Sequence, residues 1–137
     1  MRFVVSYLST GIVLLALDAL WLGLMAGRLY RPQIGHLMAD TVNVPPAVLF
    51  YLLYVVGVVV FAVQPAFVSG RWTTALGLGA LLGLIAYGTY DLTNHATLRN
   101  WPALISLVDI SWGIVLTALS ATMGLFITRA VMGAGPA

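Results

Sequence analysis

"PPAVLFYLLYVVGVVVFAV", residues 45–63, contains no charged residue, and the uncharged run around it reaches from Asp40 to Arg71. A hydrocarbon core of about 30 Å is crossed by roughly 20 apolar residues in a helix. This stretch is therefore read as a membrane span, and its flanks are read in the same way. Prolines 45 and 46 suit the first turn of a helix, where a missing N–H is harmless. Upstream, residues 3–26 form a second apolar run, interrupted by Asp18. Downstream, residues 72–93 and 102–128 form two more, carrying Asp91 and Asp109, with Arg129 closing the last.

Composition agrees. The chain of 137 residues is 61% hydrophobic and 7% charged, whereas about a quarter of residues in soluble domains are charged. It has no lysine, glutamate or cysteine, which excludes disulfides, thiolate metal sites and thiol nucleophiles. A net charge of +2 is too small for nucleic-acid binding, which needs a clustered basic surface. The expected fold is one all-α integral membrane domain over residues 1–137, a four-helix bundle threaded up-down-up-down. The first span carries an acid and a tryptophan where a signal peptide has a plain apolar core, so it is read as a retained helix.

Between Gly27 and Val44 lies the only long connection. Ile34, Leu37 and Met38 fall on one side of it at helical spacing, and Arg31, Gln33 and Asp40 are polar. This predicts a short helix in the membrane interface or an irregular loop, with His36 also interfacial. In the third span, Gly79-x-x-x-Gly83 is the spacing at which helix backbones approach closely. It serves packing within the bundle or a homodimer face.

Antiparallel threading sorts the polar residues by depth. Asp18 lies about 12 Å, and Asp109 roughly 10 Å, below one membrane face at 1.5 Å per residue. Asp91 is shallower in the same half. The aromatics cluster there too: Trp21, Tyr51, Tyr54, Tyr87, Tyr90, Trp101 and Trp112. The stretch "YDLTNHATLRNWP", residues 90–102, caps this half with Asp91, Asn94, His95 and Arg99. "LDALWLG" and "VDISWGI" both read Asp-x-x-Trp, which sets each tryptophan beside its own acid and suggests halves of an inverted arrangement.

A carboxylate within the membrane faces the bundle interior, a wet cavity or a partner. One expectation is a pocket for a small amphipathic ligand or lipid headgroup, lined by Asp18, Trp21, Tyr51, Tyr54, Tyr87, Tyr90, Asp91, Asn94, Asp109 and Trp112, with Arg28, Arg31 and Arg99 at its rim. Asp18 and Asp109 would share a proton if they approach. A second expectation is an enzyme modifying a lipid or isoprenoid, with Asp18, Asp91 or Asp109 as general acid or base. A third is a structural subunit or small proton-coupled carrier, in which the acids are polar glue. Asp91 and His95, four residues apart, are the weak candidates for a metal. No cofactor motif is legible. Arginines tie three against three across the two faces, and the free amino terminus tips the orientation toward an inside N-terminus.

The run "YDLTNHATLRNWP" followed by "VDISWG" resembles the signature of a small bacterial inner-membrane family catalogued only as a domain of unknown function. "LDALWLG", "LYRPQIGHLM" and "LFYLLYVVGVVVF" are similar to its first span, first loop and second span. The resemblance covers nearly the whole chain. It implies a bacterial four-helix membrane protein with no established activity or cofactor. It marks Asp18, Trp21, Asp91, Asn94, Asp109 and Trp112 as pattern positions, and fits His95 less well.

Overall fold

The computed structural model describes residues 1–133. Helix is its regular structure throughout the described residues, with helices long and apolar enough to cross a membrane at α1 (Arg2–Leu37), α2 (Val44–Ser69), α3 (Trp72–Thr97) and α4 (Ala103–Met132). Pairings across the bundle show the antiparallel threading. Tyr51 of α2 bonds Asp18 of α1, while Val55 packs on Gly11. Trp112 of α4 bonds Asp18, while Gly124 packs on Thr10. Gly83 of α3 meets Gly113, and Gly79 meets Thr117. Up-and-down threading with short connections follows from four spans of this length.

Two helices run further than their hydrophobic pattern suggests, by one device. The residues after the first span were expected as an interfacial helix or loop separate from it; instead, Ala26–Leu37 continues α1, and the connection shrinks to residues 38–43. Ala26–Tyr30 is π-helical and is followed at once by Pro32. In α2, Val59–Val63 is π-helical and is followed by Pro65, beyond which the helix continues to Ser69. A proline has no N–H to donate, and its ring crowds the carbonyl four residues back. A π-turn shifts the hydrogen-bond register just before the ring, so the chain stays helical through it. Gly70, at φ 71°, then ends α2 in the left-handed conformation a C-terminal glycine adopts readily.

The extension of α1 also packs differently from its pattern. Leu29 and Ile34 are buried against Trp101 and Ile105 at the start of α4, whereas Leu37 and Met38 are exposed. The segment thus lies against the bundle with Leu29 and Ile34 inward.

The centre of the bundle is a seam of small residues. A Cβ on Gly83 would collide with the carbonyl of Gly113, and one on Gly79 would sit 2.9 Å from the Thr117 carbonyl oxygen. These glycines let α3 and α4 approach backbone to backbone. That corrects the homodimer expectation: Gly79 and Gly83 are buried against the chain's own α4, so their surface is closed to a second copy. Leu14, Val58, Val59, Ala62, Val63, Ala75, Leu116, Ala121 and Leu125 fill the remaining interior.

Candidate functional site

Asp18 and Asp109 are both buried, at 6% and 8% exposure, on helices running in opposite directions. Burying a carboxylate in a low-dielectric interior is costly unless donors satisfy it. Aromatic side chains supply those donors. The Tyr51 hydroxyl donates to Asp18 Oδ2, and the Trp112 indole N–H donates to Asp18 Oδ1 at 3.1 Å. The Tyr30 hydroxyl donates to Asp109 Oδ1 at 2.5 Å, and the Trp21 indole donates to the Tyr30 oxygen at 3.0 Å.

The two Asp-x-x-Trp patterns therefore work crosswise. Each tryptophan serves the acid of the other helix rather than its own, Trp112 directly and Trp21 through Tyr30. The two indoles stack between the acids, with centroids 4.5 Å apart and planes within 5°. Trp21 and Tyr30 would lie on opposite sides of a straight α-helix, about 13.5 Å apart along its axis. The π-turn Ala26–Tyr30 changes that phase and rise, and so brings the Tyr30 hydroxyl back toward Trp21.

Between these groups is a cavity of about 210 Å³, lined by Asp18, Trp21, Leu22, Tyr30, Ile34, Tyr51, Tyr87, Tyr90, Ile105, Asp109 and Trp112. Of the residues expected at a pocket, Asp18, Trp21, Tyr51, Tyr87, Tyr90, Asp109 and Trp112 line it. Tyr54 lies deeper, sharing a hydrogen bond of 2.6 Å with Thr117. Asn94 lies outside the lining. Tyr30 was missed, because its stretch reads as a loop and only the continued helix aims it inward. The Tyr87 ring lies over the backbone of Gly113, where a Cβ would strike it.

Asp91 is fully buried behind this wall. Among the described residues no N–H or O–H donor reaches either of its oxygens, and its neighbour is the Asp109 carboxyl. The carboxyl pair in this bundle is thus Asp91 with Asp109. The pairing of Asp18 with Asp109, considered from depth alone, gives way to two carboxylates each held by its own aromatic donors.

His95, one turn after Asp91, is exposed, with Nδ1 at 3.5 Å from Ser106 Oγ. Among the described residues no group of three His, Cys, Asp or Glu side chains is placed to hold a metal ion. Ser106 instead accepts the Trp101 indole N–H at 3.0 Å. Arg28, Arg31 and Arg99 are exposed, at the end of α1 and in the α3–α4 connection, the end of the bundle toward which the cavity lies.

A family model described as "Predicted membrane protein (DUF2177)" matches residues 3–126, and the chain belongs to that family. It is a multi-pass membrane protein. No curated protein and no solved structure matches it.

Proposed function

We propose that this family member holds the polar head of a small amphipathic ligand or membrane lipid between Asp18 and Asp109. The observation that carries the reading is a cavity lined by Asp18, Asp109 and the aromatic groups that orient them. Acids serving only as polar glue between helices need donors, and a closed interior would suit them. Here Asp18 and Asp109 keep lone pairs beyond those their donors use, and both residues border open space. Concave, largely apolar sites with a few convergent polar groups are the usual form of small-ligand pockets. Asp18→Asn and Asp109→Asn, purified with their bound lipids and compared with wild type by native mass spectrometry, should each lose most of the retained ligand while remaining folded. Retention at the wild-type level in both variants would refute the proposal.

The buried, unpartnered Asp91 carboxyl beside Asp109 favours a second reading, modification of the bound lipid or isoprenoid by acid–base chemistry. A buried carboxyl with no donor of its own is held beside a second carboxyl when the two share one proton. Such a pair beside a bound group is able to give or take a proton there. Incubation of the purified protein with bacterial lipid extract, followed by mass spectrometry of the products, tests this reading; an unchanged lipid profile rejects it.

A further inference from the structure

We infer that the ligand is a cationic amphiphile, its charged head set against Asp109 and its chain leaving the bundle sideways between α2 and α3. The inference rests on the binding reading above and names the ligand's class and pose.

The pose comes from a second cavity. A space of about 300 Å³ lies against Phe50, Ala86, Tyr87, Tyr90 and Asp109. It shares Tyr87, Tyr90 and Asp109 with the first cavity, so Asp109 stands where the two meet. Its other lining groups are apolar. The opening exists because α2 packs on α3 through its second half, Val59–Ser69, while its first half stands away. Leu49, Phe50 and Leu53 of that first half are 46–62% exposed. Between membrane-spanning helices, such a gap opens toward lipid, where an alkyl chain is already at home.

The sign of the head comes from which hydrogen-bonding groups are already engaged. The Tyr51 and Trp112 donors are directed at Asp18, the Tyr30 donor at Asp109, and the Trp21 donor at Tyr30. An anion entering here would find those donors occupied and would face two carboxylates at low dielectric, where like charges repel strongly. Among the described residues no arginine or histidine lines either cavity. What remains on offer is acceptor lone pairs, the neutral Tyr87 and Tyr90 hydroxyls, which can donate or accept, and the faces of those two rings. The lone pairs and the ring faces attract a cation, the rings through their quadrupole and more strongly when water is excluded, whereas two neutral hydroxyls carry no charge to offset the carboxylates.

The test uses the full chain in maltoside micelles, titrated with dodecyltrimethylammonium, dodecanol and dodecyl phosphate and followed by tryptophan fluorescence. The expected result is saturable binding of the ammonium probe about tenfold tighter than dodecanol, the size of one good charge contact. Asp109→Asn should abolish that preference and Asp109→Glu should keep it, which separates charge from folding. Ala86→Phe, which fills the lateral cavity, should remove the gain in affinity between butyl- and dodecyltrimethylammonium. Equal or tighter binding of dodecanol or dodecyl phosphate overturns the cationic head while leaving the binding reading intact. An undiminished chain-length gain in Ala86→Phe overturns the sideways exit. Saturable binding of none of the probes overturns this inference and the binding reading together.

Discussion

The two halves of the bundle solve the same problem in opposite ways. In the half away from the cavity, small residues draw the helices together. Thr10 fits against Gly124, Gly79 against Thr117 and Ala121, and the Thr122 and Thr128 hydroxyls bond back to Ala118 and Gly124 of their own helix at 2.7 Å. Arg2 and Arg129 both lie over the Phe67 ring, at 4.4 and 5.7 Å from its centre. In the cavity half, Trp21, Tyr30, Tyr51, Tyr87 and Trp112 stand between helices and hold them apart. Lipid tails are as apolar as a leucine core, so helices in a membrane associate chiefly through close packing and hydrogen bonds. The contrast teaches that one half anchors the bundle while the other is kept open by paired aromatics and acids.

Substitutions can break or sharpen that contrast. The largest effect is expected at the anchor: Gly83→Val drives a branched side chain into the Gly113 backbone. It should cost about 3 kcal/mol, the upper part of the range for overpacking, measured by reversible unfolding in mixed detergent micelles. A loss below about 1 kcal/mol would show that the α3–α4 seam is not the anchor. In the open half, Asp18→Ala leaves the Tyr51 hydroxyl and Trp112 indole without their acceptor. About 2 kcal/mol should be lost, and Asp18→Asn, which keeps an acceptor, should lose less. Equal losses would mean that the donors do not need the carboxyl.

Tyr54→Phe, at the boundary between the halves, removes the hydrogen bond to Thr117 and should cost about 1 kcal/mol in the same unfolding assay. The smallest effect is expected for Gly77→Ala. Gly77 shares a helix with Gly79 and Gly83, yet a Cβ there meets nothing within 4 Å. Stability should stay level or rise by up to about 1 kcal/mol through helix propensity. A loss at Gly77 would blur the distinction between packed and open glycines.

Much of the fold and part of the site were legible before any coordinates. Spans read at residues 3–26, 45–63, 72–93 and 102–128 correspond to α1–α4, because a run of twenty apolar residues has few other stable environments. The ends were read short in α1 and α2 because the apolar runs give way after Ala26 and Val63, and nothing local announces a π-turn that carries the helix on past Pro32 and Pro65. Seven of the expected pocket residues line the cavity, since depth along antiparallel spans follows from counting residues. Tyr30 escaped notice for the same reason that α1 was cut short. The crosswise service of Trp112 to Asp18 could not be read from spacing of three, which relates residues of one helix and is silent about the neighbour.

The sequence by itself determined that the chain crosses a membrane four times and that its acids and aromatics gather in one half. Both follow from the cost of exposing charge to hydrocarbon and from the fixed rise of a helix, which are properties of single segments. Tertiary structure alone decided which acid meets which donor, that Asp91 lies against Asp109, and that Gly79 and Gly83 face α4. Those outcomes depend on the rotation of each helix about its axis. Rotation is set by how four surfaces interlock, and no one segment carries that information.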